Sequence, residues 1–196
     1  MLSFFGKSSH ASQPENGHNP ARAISKLIID IPELTAREDH RGIVMATVVC
    51  VRIGEEAFGT NAGFGQLMLT IRAEFESELD ALDAEICARA RAYARQDGIA
   101  NVEIQYRDSF PETRNTPDAV AAVRKARLEC GLPEARWDEP FRSSEDFGCY
   151  TKLTSGALFY IGCGTRHAKL HTREYDFNDE IIEPAVDMMF RLAQDA

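Results

Sequence analysis

The chain has 196 residues, of which 44% are hydrophobic, and its 31 acidic and 22 basic side chains give a formal charge of -9. This hydrophobic content is ordinary for a globular protein, and the length suits one large or two small domains. The negative charge argues against non-specific binding to nucleic acid or to anionic membranes. No apolar run approaches the ~20 residues that span a bilayer, so neither nucleic acid nor membrane is an expected partner.

The five cysteines are an odd number, and no two of them form a CxxC pair. Secreted disulfide-rich proteins usually carry an even set, whereas cytosolic proteins keep isolated thiols reduced. The cysteine pattern therefore predicts buried, reduced thiols and a cytoplasmic location.

Alternating strand and helix patterns fill the first 108 residues. The predicted elements are a strand at residues 2–5, a helix from Pro20 to about Pro32, strands at 45–53 and 66–73, a helix that Ser77 caps and Gly98 ends, and a strand at 101–107. A short link between the two middle strands favours an antiparallel pair, and each helix can cross back over one sheet face. The predicted fold is α/β, with a ferredoxin-like β-α-β-β-α-β domain built on a four-stranded antiparallel sheet.

Residues 109–196 give a different pattern. A linker leads to a helix that begins near Thr116, and a second helix is predicted at residues 144–153. A last helix is predicted to hold Ile181, Ala185, Met189 and Leu192 at helical spacing. The run ALFYI at residues 157–161 does not alternate, which predicts a strand buried on both faces. Such a strand needs neighbours in its own sheet, so this half is predicted to be part of an α/β domain whose other strands lie outside this sequence.

Residues just beyond a buried strand are common sites for ligands and metals in α/β proteins. His171 lies there, beside Glu174 and Asp176, and is predicted to be a metal ligand; the alternative is an ordinary loop histidine. Cys163 and His167 could join it in a small structural zinc site. The glycine-rich loop at residues 59–65 joins two strands rather than opening a helix, so a phosphate-binding role is rejected.

Several motifs resemble one enzyme family. Five segments resemble two-metal amidohydrolases and exopeptidases and occur in the same order. They are residues 7–20 (KSSHASQPENGHNP), 110–115 (FPETRN), 144–147 (SEDF), 161–162 (IG) and 170–171 (LH). This family includes aminoacylases, carboxypeptidase G-type enzymes and N-acyl-amino-acid (auxin-conjugate type) amidohydrolases. The resemblance implies a lid, or dimerisation, domain at residues 1–108 and the C-terminal portion of the catalytic domain at residues 109–196.

The resemblance also implies roles for single residues. His171 matches the last metal-ligand histidine, and Glu145 matches an acidic catalytic position near the metals. His10 matches a lid histidine that reaches the partner's active site in the dimer and stabilises the oxyanion of the tetrahedral intermediate. Arg72 resembles a lid arginine that binds the substrate carboxylate, and Asn61 resembles a second substrate-binding lid residue.

The implied reaction is metal-assisted hydrolysis of an amide bond in an N-acyl amino acid or small peptide, by a homodimer that uses zinc, manganese or cobalt. The family's first half, with most metal ligands and the glutamate base, has no counterpart in this sequence. The chain alone is therefore predicted to be inactive unless a separate N-terminal half is supplied. The alternatives are a non-catalytic dimerisation or binding module and the small structural zinc protein.

Overall fold

A four-stranded antiparallel sheet organises the first part of the chain. The computed structural model describes residues 1–135, 137, 139–165 and 167–194. The strands are β1 (Leu2–Phe5), β2 (Ser9–His10), β3 (Val44–Ile53), β4 (Thr60–Asn61), β5 (Phe64–Ala73) and β6 (Asn101–Ile104). The sheet has the order β3-β5-β1-β6, with antiparallel neighbours throughout, and β2 pairs separately with β4. This order is that of the predicted ferredoxin-like domain, so the predicted fold is confirmed.

Two long helices accompany this sheet. The described helices are α1 (Ala21–Thr35), α2 (Glu76–Gln96), α3 (Pro117–Glu129), α4 (Gly148–Thr151) and α5 (Ile182–Gln194), with 3-10 turns at Pro14–Asn16 and Asp179–Ile181. Helices α1 and α2 pack on each other and on the sheet. Phe4, Ile24, Leu27 and Leu67 are fully buried between them, so the apolar stripe of α1 and the central strands form one core.

Two predicted helix boundaries in this domain were wrong. α1 continues through Pro32 to Thr35, because one lost backbone donor is offset by the burial of Leu34 in the core. α2 begins at Glu76 with Phe75 as the capping residue, so Ser77 lies inside the first turn and does not cap it. The predicted end at Gly98 is correct, since this residue has φ +68°, a conformation that glycine adopts without strain.

Residues 110–196 form the second of two compact units, and the first comprises Met1–Ser109. α3 packs on α5 within the second unit. The start of α3 is tied to a loop: the Ser155 hydroxyl donates to Asp118, which lowers the pKa of Asp118 to about 2. The predicted helix at residues 144–153 was largely wrong, since only Gly148–Thr151 is helical.

The predicted strand at residues 157–161 was also wrong. Its backbone is hydrogen-bonded to one side chain instead: Asn115 Nδ2 donates to Leu158 O at 2.8 Å, and Leu158 N donates to Asn115 Oδ1 at 2.9 Å. Tyr160 remains 56% exposed. The physical reason is that the described residues of this unit contain no strand that could pair with the run.

The described residues also bear on the cysteines and on membranes. All five cysteines are free, but only Cys87 is buried and Cys149 is exposed, so the expectation of buried thiols holds for one of them. Among the described helices, none is both long and apolar enough to cross a bilayer.

Candidate functional site

His10 lies on a loop that backbone hydrogen bonds hold on several sides. It belongs to β2, where it pairs with Thr60 of β4. At the base of the loop, Lys7 N donates to His18 O at 3.0 Å and His18 N donates to Lys7 O at 2.8 Å. Ala11 N donates to Gly59 O at 2.9 Å. The backbone on both sides of the exposed His10 ring is therefore fixed.

The His10 ring has two hydrogen-bond partners on the same residue. The backbone N–H of Ser12 donates to His10 Nδ1 at 3.2 Å, and the Ser12 hydroxyl lies 2.7 Å from the same nitrogen. Nε2, the other ring nitrogen, lies on the opposite edge of an exposed ring.

Asn61 lies beside this loop, and both the oxygen and the nitrogen of its side-chain amide are hydrogen-bonded. Asn19 Nδ2 donates to Asn61 Oδ1 at 2.8 Å, and Asn61 Nδ2 donates to Ser9 Oγ at 3.0 Å. Gly17 makes this arrangement possible, because a Cβ there would lie 2.7 Å from both Asn61 Nδ2 and Ser9 Oγ. The structure thus brings His10 and Asn61 together on paired strands, with Asn61 fixing the loop that carries His10.

An open cavity of about 590 Å³ adjoins the same loop. Its lining includes Ser8, Ala11, Glu55, Thr60 and Asn61. The volume is in the range of small-molecule sites, and both polar and apolar groups face it.

Arg72 lies elsewhere on the domain. It is eight residues from Phe64 along β5, which at the usual rise is roughly 26 Å of strand. Its register partner is Met45 on β3, whereas His10 pairs with Thr60. One chain therefore does not bring Arg72 to the His10 loop.

The candidate residues of the second unit have local contacts. Glu145 Oε1 accepts a hydrogen bond from Phe147 N at 2.9 Å, which supports the start of α4. His171 is exposed and has φ +64°, a strained left-handed conformation for a side-chain-bearing residue. Nearby, His167 Nδ1 donates to Ala168 O at 2.9 Å, and Asn178 donates to Cys163 O at 3.2 Å.

These residues do not fit a resident metal. Within the described parts of the chain, no group of three His, Cys, Asp or Glu side chains is arranged to hold a metal ion. Cys163, His167 and His171 thus do not come together as a zinc site. A zinc centre needs three or four protein ligands, and a catalytic pair of metals needs more, so His171 alone is insufficient.

Sequence reasoning did not single out Ser12 or Asn19. Both act through side-chain hydrogen bonds at short range, Ser12 on His10 and Asn19 on Asn61. Asn19 Oδ1 also accepts from Ala21 N at 2.8 Å, at the start of α1. The available signal was spacing, since a hydroxyl two residues after a histidine can reach its ring.

Comparison with known proteins decides the family. The sequence model of the peptidase dimerisation domain M20_dimer matches residues 1–98, which is half of the chain. The chain belongs to the M20 peptidase family. The match covers β1 to the end of α2, including the loop that carries His10.

Similar proteins agree with this assignment. Hippurate hydrolase of Campylobacter jejuni is 23% identical over 98% of this chain and 50% of its own length. A tripeptidase of Staphylococcus aureus has a TM-score of 0.73 at 16% identity, covering 97% of this chain and 49% of that one. Bacillus subtilis YXEP, described as a dinuclear metal binding peptidase of the M20 family, has a TM-score of 0.70 at 16% identity, covering 98% and 49%. The two structural matches show a shared fold.

This M20 chain is short relative to such proteins. It spans about half the length of the curated relatives it matches, 47% and 50% in two of them.

Proposed function

We propose that this chain is the dimerisation domain and the C-terminal portion of the catalytic domain of an M20 amide hydrolase. In this proposal residues 1–108 form the lid, and residues 109–196 form the catalytic portion with Glu145 and His171. The hydrolase names of its relatives support the reaction class. The free cysteines fit a cytoplasmic location.

The observation that carries the proposal is the fixed His10 ring on the dimerisation domain. Hydrolysis of an amide places negative charge on the carbonyl oxygen, and a pre-positioned N–H donor stabilises that charge. With Nδ1 facing Ser12, Nε2 of His10 has no hydrogen-bond partner among the described residues and can supply such a donor. We propose that His10 acts on the active site of the partner subunit.

The proposed substrates are N-acyl amino acids or small peptides. Hippurate is an N-acyl amino acid and tripeptides are small peptides, and these are the substrates that two relatives' names specify. Arg72 is proposed to bind the substrate carboxylate, since a guanidinium matches a carboxylate in geometry and charge. Asn61 is proposed as a second substrate-binding residue, although its amide already bonds Asn19 and Ser9.

We further propose that the homodimer forms through the β3 edge of the sheet. The two edge strands differ: β6 has 4 residues, whereas β3 has 10 and carries the exposed Val49 and Val51. A long apolar edge strand presents unpaired backbone groups to another chain. The family's description as a dimerisation domain supports a second copy as the occupant.

The second unit is proposed to be incomplete as a catalytic domain. α5 has a buried Met188 but leaves Ile182, Val186, Met189 and Phe190 at least half exposed. These exposed residues lie on the apolar side of an amphipathic helix, a side that normally packs against another layer. Together with the single candidate ligand His171, this supports a chain that is inactive alone and works only when a further half supplies the other ligands and the base. That half would also bring the zinc, manganese or cobalt site to completion.

The proposal is tested by extending the polypeptide with any coding sequence that lies in frame before Met1. We expect the extended protein to hydrolyse hippurate or another N-acyl amino acid when zinc, manganese or cobalt is added. An extended protein that contains a full set of metal ligands but cleaves none of a panel of N-acyl amino acids and tripeptides would contradict it.

A non-catalytic dimerisation module is the second candidate. It is favoured by the lack, among the described residues, of any three-ligand metal group. The upstream sequence distinguishes the two: a frame that encodes no histidine- and acid-rich half would favour the module. Tight stoichiometric zinc in the purified chain, lost on Cys163→Ala, would instead support the structural zinc alternative.

A further inference from the structure

The partners of the His10 ring determine which of its nitrogens carries the proton. A backbone N–H can only donate, so the Ser12 N–H that approaches Nδ1 at 3.2 Å requires a lone pair on that nitrogen. The Ser12 hydroxyl, 2.7 Å from Nδ1, can then only donate as well. A neutral His10 ring with this geometry carries its proton on Nε2.

We infer that Ser12 is a positioning residue that holds His10 in the Nε2–H tautomer, so that its outward nitrogen is a hydrogen-bond donor. In functional histidines, the hydrogen bond made by one ring nitrogen commonly determines whether the other carries the proton. The inference rests on the proposed function only for its purpose, because the tautomer itself is a property of the chain in isolation.

The surroundings of the loop make this control effective. Gln13 N donates to His10 O at 2.9 Å, which closes a turn over residues 10–13 and keeps Ser12 beside the ring. On the other side, β2 pairs with β4 and prevents the His10 backbone from rotating away. The ring and its two donors therefore belong to one rigid turn.

The consequence for the proposed chemistry is specific. An Nδ1–H tautomer would present a lone pair outward, and that lone pair would repel a developing oxyanion instead of stabilising it. A substrate-stabilising role for His10 thus depends on Ser12 even though Ser12 is not proposed to touch the substrate. The substrate class is that proposed above, an amide whose carbonyl oxygen becomes negatively charged.

The test measures the ring nitrogens directly, by long-range proton–nitrogen correlation NMR on the ¹⁵N-histidine-labelled chain at a pH where His10 is neutral. We expect the native chain to show protonated Nε2 and unprotonated Nδ1. In Ser12→Ala the hydroxyl donor is lost while the backbone donor remains. The ratio of the Nε2–H tautomer to the Nδ1–H tautomer should therefore fall about twofold to tenfold, which is the effect of one ordinary hydrogen bond.

Ser8→Ala is the matched control, because it removes a hydroxyl of the same loop that is not a partner of the ring, and it should leave the ratio unchanged. A native His10 with Nδ1 protonated, or a ratio that Ser12→Ala leaves unaltered, would overturn the inference. Because the readout needs no turnover, failure here is distinct from failure of the proposed hydrolase activity. If the extended protein is active, Ser12→Ala should lower kcat more than it changes KM.

Discussion

His40 is the clearest titrating contact in the described residues. Its Nε2 lies 2.7 Å from Leu34 O near the end of α1, and its Nδ1 lies 3.0 Å from Glu78 Oε2 in the first turn of α2. Two acceptors favour the doubly protonated ring, so the Leu34 carbonyl and then the Glu78 carboxylate raise the pKa of His40 above its ordinary value. The ring thereby links the two helices only while it is charged.

The pKa shift of His40 predicts a pH dependence of stability. Since the folded pKa is raised, the stabilisation is fully present below the unfolded value of about 6.5 and is lost as pH rises through the folded pKa. We expect His40→Gln to lower the free energy of unfolding by about 1 kcal/mol at pH 6 and by less at pH 9. Urea titrations between pH 6 and pH 9 measure the free energy of unfolding, and His10→Gln on the exposed loop is the control. Equal losses at both pH values would show that the ring charge does not contribute.

Tyr93 belongs to a second helix–helix contact. Its hydroxyl donates to Asp30, and Arg89 lies 2.9 Å from the same carboxylate. Burial alone would raise the pKa of Asp30, but the hydrogen bonds from Tyr93 and Arg89 outweigh it and lower the pKa. The carboxylate thus stays charged between α1 and α2.

Loss of the Tyr93 hydroxyl should weaken this contact. We expect Tyr93→Phe to destabilise the protein by about 1 kcal/mol, because the ring packing is kept and one hydrogen bond to a charged group is lost. A double-mutant cycle with Asp30→Asn should show a coupling above ~0.5 kcal/mol by urea unfolding. Strictly additive effects would mean that the two side chains do not interact.

Among the elements, α1 contributes most clearly to the core of the first unit. Leu27 is fully buried against the sheet, whereas Glu33 on the same helix is exposed. We expect Leu27→Ala to cost about 2–5 kcal/mol through lost burial and an unfilled cavity. Glu33→Ala should stay within about 0.5 kcal/mol of the native chain, as measured by circular dichroism during urea unfolding. Similar losses for both variants would contradict the described packing.

The sequence predicts elements well where pattern and burial coincide. The predicted strands at residues 45–53 and 66–73 correspond to β3 and β5, because each has a face in the core of the first unit. Prediction failed at residues 157–161, because the apolar pattern predicts a buried strand, whereas the described residues of the second unit contain no strand that could pair with it. It also failed at Pro32, where the burial of Leu34 extends α1, and at Ser77, which lies inside the first turn of α2.

The candidate site was predictable only in part. The histidine in the residue 7–20 motif pointed to the loop, but not to the bonds that Ser12 makes with its ring. Such contacts depend on the turn geometry, which residue types alone do not determine. The roles of Arg72, Glu145 and His171 stay predictions.

The exposed β3 edge predicts that two copies of the chain assemble into a dimer. We expect the native chain to sediment at about twice its 21.9 kDa mass. Val49→Lys places a charge on the exposed edge and should shift the equilibrium to monomers, as charged edge strands resist pairing. Leu128→Lys, at another exposed apolar residue, on α3, should remain dimeric. If the Val49→Lys variant is still a dimer, the interface is not at the β3 edge and lies on another surface.

We propose that these 196 residues carry the dimerisation domain and one part of an M20 hydrolase, without a complete metal site. Hydrolysis of hippurate by the purified chain, with zinc, manganese or cobalt added, tests this proposal and is monitored as the release of glycine. We expect no release above the metal-only blank. Robust, metal-dependent release by the native chain would contradict it.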